Sequence, residues 1–210
     1  MSKTNRVISF GASITFGSEL PSPDKTWAGL IANKLNKKYL CLAEQGASNT
    51  SILRQILSFD QYKNDLILVM WTSTTRYEFK TEDSWTSIGP WSEQSGFTAE
   101  WYKGPGSFEY TEVLTTMKEI LLAKQFIESK KLQYIFVFDN NELITSSTWI
   151  QNDNLISSMK QLMPMDNIIW FDNKGFIDWS KEKGFKFIGT HPGVEAHKNA
   201  SNYILSKTLL

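Results

Sequence analysis

A serine and a histidine near opposite ends of the chain are placed where they could act together as a nucleophile and its base. Ser13 directly follows an apolar run, Val7-Ile8-Ser9-Phe10, and the short link Gly11-Ala12. His191, one of two histidines in the chain, lies directly before the predicted last helix. A serine hydroxyl is a weak nucleophile until a neighbouring base takes its proton, and histidine is the most common such base. The two segments therefore predict nucleophilic catalysis by a Ser-His pair.

Each of these residues also has a purely structural interpretation. Ser13 could cap a helix after the strand, and His191-Pro192 could simply begin the last helix, since proline is favoured in a first turn. Gly46 could relieve a tight turn, and Asn49 could either cap the helix beginning near residue 50 or contact a substrate. The second histidine, His197, is interpreted as structural because it falls inside the last helix.

Composition favours a single water-soluble domain spanning residues 1–210. The 22 basic residues balance the 22 acidic ones, which argues against nucleic acid or an anionic membrane as a partner. No apolar stretch is long enough to span a bilayer, and residues 1–6 contain no apolar signal segment. We therefore expect cytoplasmic synthesis, with association with a virion or release on lysis left open. The single cysteine, Cys41, is expected to be a buried structural thiol.

Strands and helices alternate along the chain. Short apolar runs predict buried strands at 6–10, 39–42, 66–71, 134–138 and 168–171. Apolar residues spaced three and four apart predict helices at 27–38, 50–59, 110–131, 153–162 and 194–209. The alternation predicts an α/β fold, a three-layer αβα sandwich around a parallel sheet of about five strands. Ligands of such sheets bind at the carboxyl ends of the strands, where Ser13 and the residues after Trp71 fall.

One segment, residues 72–110, interrupts the alternation. It has no convincing period and is rich in aromatic residues among glycine, proline and serine. A connection of this length is commonly a functional loop. It is predicted to be either a lid or aromatic wall over the site, or an insertion whose aromatic residues build a satellite core or a subunit contact.

Other polar residues follow predicted strands and offer weaker signals. Arg76 follows the third strand and is a candidate substrate-binding residue. The run Asp139-Asn140-Asn141 follows the fourth strand, and a solvated loop is preferred to a pocket wall there. The chain lacks the paired cysteine or histidine spacings of metal sites, so we expect neither a metal nor a cofactor.

Four short blocks together resemble the SGNH (GDSL-like) hydrolases, and their order covers nearly the whole chain. The blocks are Gly11-Ala12-Ser13, Gln45-Gly46-Ala47-Ser48-Asn49, Trp71-Thr72-Ser73 and Gly189-Thr190-His191-Pro192. The resemblance implies an SGNH hydrolase (flavodoxin-like) sandwich with Ser13 as nucleophile and His191 as base. It also implies that the backbone amides of Ser13 and Gly46 bind the oxyanion. Trp71-Thr72-Ser73 and the closing His191-Pro192 are similar to members associated with tailed phages.

Three positions depart from the family pattern. Ala12 stands where an aspartate is usual, and Thr72 or Ser73 where an asparagine helps form the oxyanion hole. Ile188 occupies the position three residues before His191, where the family has the aspartate that orients the histidine. Such a carboxylate fixes the imidazole tautomer, and an amide in its place costs about 10⁴ in rate. A backbone carbonyl or one of three nearby carboxylates, from Asp178, Glu182 or Glu195, could take over part of that role.

The resemblance thus implies a serine esterase that hydrolyses a small acyl ester, for example an O-acetyl group on a carbohydrate, through a Ser-His dyad or incomplete triad. The alternative is a catalytically degenerate module of the same fold. Such a module would use the aromatic segment 72–110 to bind a glycan or a protein partner, within a virion or other assembly.

Overall fold

A computed structural model describes residues 6–60, 62–89, 109–146 and 148–208 of the chain. Its central sheet contains five parallel strands in the order β2-β1-β3-β6-β7. They are β1 (Arg6–Phe10), β2 (Lys38–Cys41), β3 (Leu66–Trp71), β6 (Gln133–Phe138) and β7 (Ile168–Ile169). This confirms the predicted parallel sheet.

Helices cover the sheet on both faces. They are α1 (Ser13–Phe16), α2 (Trp27–Lys34), α3 (Asn49–Ser58), α4 (Glu109–Ser129), α5 (Glu142–Thr145), α6 (Thr148–Gln151), α7 (Asn154–Leu162), α8 (Phe176–Glu182) and α9 (Val194–Lys207). Short 3-10 turns lie at Pro23–Lys25 and Met165–Asn167. The architecture is the α/β sandwich expected from the sequence.

Strand β3 shows why two helical layers are needed. All six of its residues are buried, and alternate side chains enter opposite cores. Leu68 packs on one face with Trp27 of α2 and Ala200 of α9, whereas Val69 packs on the other with Ile56 of α3. Burying a side chain of this size stabilises the fold by about 1.5–3 kcal/mol, so a continuous apolar strand requires cover on both sides.

Helix α2 is shorter than the predicted helix 27–38 because the chain leaves the helical conformation at Asn36. This residue has a φ of +51°, a left-handed conformation that asparagine tolerates better than most residues. The amide of Lys37 then donates to the carbonyl of Ala32 at 3.0 Å, closing the helix end. The chain is thereby released into β2.

Strand β7 ends two residues before the predicted boundary at Phe171. Asp172 and Asn173 both have positive φ angles, +52° and +62°, and Phe171 forms an isolated antiparallel bridge with Lys174. The apolar run therefore continues past the strand into a tight turn, and the side chain of Phe171 remains fully buried.

The aromatic segment 72–110 contains regular structure that the sequence did not predict. Strands β4 (Tyr77–Lys80) and β5 (Trp85–Ile88) pair as an antiparallel hairpin. Arg54 of α3 holds the hairpin through a double hydrogen bond to Glu78, at 2.9 and 3.0 Å, and its guanidinium lies 4.7 Å from the centre of the Trp85 ring. The hydroxyl of Tyr77 donates to Glu112 of α4 at 2.6 Å. These contacts hold the described part of the segment against α3 and α4.

A second small hairpin precedes the last helix. Its strands, β8 (Phe187–Ile188) and β9 (His191–Pro192), are antiparallel and place Ile188 opposite His191. Within the described ranges, no helix is long and apolar enough to cross a membrane.

Candidate functional site

Ser13 lies at the carboxyl end of β1, where the chain turns sharply into α1. A side chain at Gly11 would overlap Thr15, so glycine permits this close turn. Ser13 is the first residue of α1, and the N-cap position belongs to Ala12, which makes no side-chain cap. The Ser13 hydroxyl therefore does not cap the helix and is directed to another partner.

That partner is His191 on the β8–β9 hairpin. The Nε2 atom of His191 lies 2.8 Å from Ser13 Oγ, although the two residues are separated by 178 positions in the chain. The imidazole side chain is 21% exposed, so solvent and substrate can reach the pair. A hydroxyl at hydrogen-bond distance from an imidazole nitrogen is the arrangement that general-base activation of a serine requires.

The other ring nitrogen faces a carboxylate that the sequence analysis missed. Glu19 Oε2 lies 3.1 Å from His191 Nδ1, and Thr190 Oγ1 lies 3.3 Å from the same nitrogen. Glu19 belongs to the loop after α1, so it shares the sheet edge of Ser13. The position of Glu19 shortly after Ser13 is the signal in the sequence that could have identified it. Only carboxylates close to His191 in the sequence were considered as its partners.

The carboxylates proposed from the sequence do not take this place. Glu182 forms an ion pair with Lys174. Asp178 and Glu195 have no hydrogen bond to the imidazole among the described contacts, and Glu195 is exposed in the first turn of α9. Proximity in sequence was a poor guide because the β8–β9 hairpin turns the imidazole toward the loop after α1.

The serine and histidine open into a pocket of about 420 Å³. The residues that line it include Ser13, Gln45, Gly46, Arg76, Thr190 and His191. Gly46 has a φ of +72°, a left-handed conformation that glycine adopts without steric cost. Arg76 is anchored beside it, since Nη1 donates to the carbonyl of Ala47 at 3.3 Å. The loops after β1, β2 and β3 therefore meet the β8–β9 hairpin at one edge of the sheet.

Thr72 and Ser73, predicted to replace the oxyanion-hole asparagine, have hydroxyls that are already engaged. Thr72 Oγ1 donates to Asp139 at 2.7 Å. Ser73 Oγ contacts both carboxylate oxygens of Glu142, at 2.8 and 3.0 Å. A hydroxyl has a single proton to donate, so neither group is directed to an oxyanion in this arrangement, and neither lines the pocket.

Asn49 neither caps α3 nor reaches the pocket. The N-cap is Ser48, whose hydroxyl accepts from the amide of Ser51 at 3.1 Å. Asn49 is 2% exposed. Its side chain forms two hydrogen bonds with the backbone of Thr72, accepting from the amide at 2.8 Å and donating to the carbonyl at 3.0 Å. It therefore positions the loop that follows β3.

The polar run after β6 is folded inward, contrary to the preferred prediction of a solvated loop. Asp139 is 4% exposed, and burial raises its pKa to about 6, against the opposing influence of Arg76 and Thr72. Asn140 accepts from the amide of Glu142 at 2.9 Å, and Asn141 accepts from the amide of Gly175 at 2.6 Å. These side chains organise turns beneath the site.

His197 is confirmed as part of the core. It is 1% exposed, and its Nδ1 accepts from the amide of Trp27 at 3.0 Å. Burial lowers its pKa to about 3, so the ring is neutral at physiological pH.

Cys41 is only half buried, not fully buried as expected, and its Sγ lies 3.5 Å from the carbonyl of Thr15.

No aromatic side chain of the described part of segment 72–110 lines the pocket of Ser13. The prediction of an aromatic wall or lid also falls on residues 90–108, which lie outside the described residues. A larger apolar cavity of about 500 Å³ lies beside β7 and contains neither serine nor histidine among its lining residues. Within the described ranges, no group of three metal-ligating side chains is found.

Comparisons with known proteins identify the fold. No protein-family model matches the chain, and no curated protein does. Among solved structures, TesA superposes with a TM-score of 0.59 at 10% identity, covering 96% of this chain and 97% of its own. A member of the lipolytic protein G-D-S-L family from Veillonella parvula gives 0.53 at 16% identity, covering 96% of each chain.

A third similar structure is an acetyl xylan esterase, Est2A, from Butyrivibrio proteoclasticus. Its TM-score is 0.55 at 15% identity, and the match covers 98% of this chain and 63% of that protein. The chain therefore has the α/β fold of the SGNH hydrolases, at low sequence identity, as its four sequence blocks implied.

Proposed function

We propose that the chain is a serine ester hydrolase in which Ser13 is the nucleophile and His191 the general base. The observation that carries the proposal is the 2.8 Å separation between Ser13 Oγ and His191 Nε2 at the edge of the sheet. In sheets of this kind, ligands bind at the carboxyl ends of the strands. The pair also opens into a pocket, so an ester can approach the hydroxyl.

In the proposed reaction, Ser13 Oγ attacks the ester carbonyl carbon while His191 Nε2 takes the hydroxyl proton. The carbonyl π electrons move to oxygen, and the oxyanion is held by the backbone amides of Ser13 and Gly46. The imidazolium then returns its proton to the leaving alcohol as the carbon–oxygen bond breaks. Water, activated by the same imidazole, hydrolyses the acyl-enzyme and regenerates Ser13.

Arg76 compensates for the missing oxyanion-hole asparagine. Loss of one oxyanion donor costs about 10²–10³ in rate, and the hydroxyls of Thr72 and Ser73 donate elsewhere. A guanidinium in the same pocket stabilises developing negative charge through its fixed positive charge. Its position beside the Gly46 loop directs that charge to the side where the oxyanion forms.

The proposed substrate is a small acyl ester of a polar alcohol, such as an O-acetyl group on a carbohydrate. Gln45, Arg76 and Thr190 line the pocket, and their polar side chains can form hydrogen bonds with the hydroxyl groups of such an alcohol. Two proteins of the same fold are named acetyl xylan esterases, which supports this substrate class.

The test compares the wild type with Ser13→Ala in turnover of p-nitrophenyl acetate and in labelling by a fluorophosphonate probe. Ser206→Ala is the matched control, because Ser206 is an exposed serine at the end of α9. We expect turnover and labelling in the wild type and the control, and neither above background in Ser13→Ala. A wild type that neither turns over the ester nor takes the label would contradict the esterase and favour the binding module of the same fold.

A further inference from the structure

The catalytic imidazole has a carboxylate partner although the chain lacks the aspartate expected at position 188. Ile188 lies opposite His191 in the β8–β9 hairpin, and its side chain offers no hydrogen-bonding group. On the other side of the ring, Glu19 Oε2 lies 3.1 Å from Nδ1. The imidazole thus stands between the carboxylate of Glu19 and the hydroxyl of Ser13, with one ring nitrogen toward each.

This order of groups sets the position of the ring proton. An ionised carboxylate can only accept a hydrogen bond, so it favours the tautomer with the proton on Nδ1. The lone pair of Nε2 then faces Ser13 Oγ and can receive its proton. Thr190 Oγ1, at 3.3 Å from Nδ1, is farther away and can either donate or accept, so it does not select a tautomer.

The backbone on the Glu19 side is shaped to bring the carboxylate to the ring. Gly17 ends α1 in a left-handed conformation, and Glu19 itself has a φ of +68°, which is uncommon for a residue other than glycine. The amide of Ser18 donates to the carbonyl of Ser13 at 3.0 Å. Nucleophile and carboxylate are therefore held in one tightly wound segment.

The opposite loop makes room for the same carboxylate. Gly189 has a φ of +54°, and a Cβ atom there would overlap the carboxylate oxygens of Glu19. Glycine at this position thus serves two requirements, the turn of the β8–β9 hairpin and the approach of Glu19. The loop after α1 and the turn of the β8–β9 hairpin, which are distant in sequence, therefore both accommodate the carboxylate of Glu19.

We propose that Glu19 is the positioning residue of His191 and completes a Ser13-His191-Glu19 triad, taking the place of the absent aspartate. Its kinetic consequence rests on the proposed esterase function. The Glu19 side chain is 37% exposed, so water screens the interaction more than in a buried triad. We therefore expect a smaller effect than the roughly 10⁴-fold loss known for a buried triad carboxylate.

The kinetic test uses Glu19→Ala with Glu195→Ala as the matched control, since Glu195 is an exposed carboxylate four residues after His191. We expect Glu19→Ala to lower kcat about 10- to 10³-fold with KM changed less than about threefold, because the residue acts on the base and not on the substrate. Glu195→Ala should retain wild-type kcat. Sodium formate, compared with sodium chloride at equal ionic strength, should restore part of the activity of Glu19→Ala. Unchanged kcat in Glu19→Ala, or an equal loss in both variants, would overturn the proposal.

The ring proton can be located without any catalysis, by ¹⁵N NMR of histidine-labelled protein. The two histidines provide an internal contrast, because His197 Nδ1 accepts from Trp27 N and its proton must lie on Nε2. We expect neutral His191 to carry its proton on Nδ1 in the wild type, and to lose that preference in Glu19→Ala. A wild-type His191 protonated on Nε2 would overturn the role of Glu19. An inactive wild type with the expected tautomer would instead count against the esterase alone.

Discussion

The two histidines lie six positions apart and differ in almost every physical property. His191 lies on the rim of a pocket, with Ser13 at one ring nitrogen and Glu19 at the other. His197 is enclosed in the core, where its Nδ1 accepts from the backbone of Trp27 and burial lowers its pKa to about 3. The same side chain is thus a candidate base in one environment and a fixed hydrogen-bond acceptor in the other. The exposure and hydrogen-bond partners of each histidine, and not its residue type, distinguish the candidate catalytic role of His191 from the structural role of His197.

The largest expected effect is a loss of activity when His191 is replaced. Replacing His191 with alanine removes the base, and we expect kcat/KM for p-nitrophenyl acetate to fall about 10⁴-fold, equivalent to about 5.5 kcal/mol. Stability should change little, because the imidazole is partly exposed and packs on the surface. A variant that keeps more than about a tenth of wild-type kcat/KM would remove His191 from the mechanism.

Replacement of the other histidine, His197, should instead lower the free energy of unfolding. His197→Leu leaves the buried amide of Trp27 without its acceptor, and an unsatisfied buried donor costs about 1–3 kcal/mol. We expect the free energy of unfolding in urea to fall by that amount, while kcat per folded molecule stays near the wild-type value. A large loss of kcat at unchanged stability would mean that His197 takes part in the reaction.

The third expected effect concerns the pH dependence of stability. Because the pKa of His197 is lowered to about 3 in the folded state and is about 6.5 in an unfolded chain, the unfolded state binds more protons between these values. Stability contributed by neutral His197 is therefore complete above pH 6.5 and is lost as the pH falls, with a slope of up to about 1.4 kcal/mol per pH unit.

Two buried carboxyls act in the opposite direction over part of this range, since burial raises the pKa of Asp139 to about 6 and that of Glu119 to about 7. The slope for His197 must therefore be measured as a difference between the wild type and His197→Asn, in which the asparagine Oδ1 replaces Nδ1 as acceptor. In urea unfolding between pH 4.5 and 6.5, the stability of the wild type relative to His197→Asn should fall as the pH falls. Identical slopes would contradict the assignment of a neutral, buried His197.

The core of the fold was predictable because its strands are continuous apolar runs. The bounds predicted for β1 and β3 agree with the structure, and both strands are covered by helices on their two faces. The β4–β5 hairpin was missed because its strands have four residues each, too few for a clear alternation. The end of β7 was misplaced because Phe171 is as buried as a strand residue while its backbone has already turned.

Residues of the candidate site were predictable only where their place beside a predicted strand or helix identifies them. Ser13, Gly46 and Arg76, which follow predicted strands, line one pocket with His191, which precedes the predicted last helix. Glu19 was not foreseen, because its approach to the imidazole depends on backbone conformations at positions 17, 19 and 189. Thr72 and Ser73 follow the expected strand, but their hydroxyls bond to the carboxylates of Asp139 and Glu142, which no local pattern reveals.

A fluorophosphonate probe can show whether Ser13 is a nucleophile that His191 activates. The wild-type protein and His191→Ala are incubated with the probe, digested, and the modified peptide is located by mass spectrometry. We expect a phosphonyl adduct on Ser13 in the wild type, and labelling at Ser13 slowed by at least about 10²-fold without the imidazole. An adduct on another residue, or labelling of Ser13 at the same rate in His191→Ala, would contradict these roles.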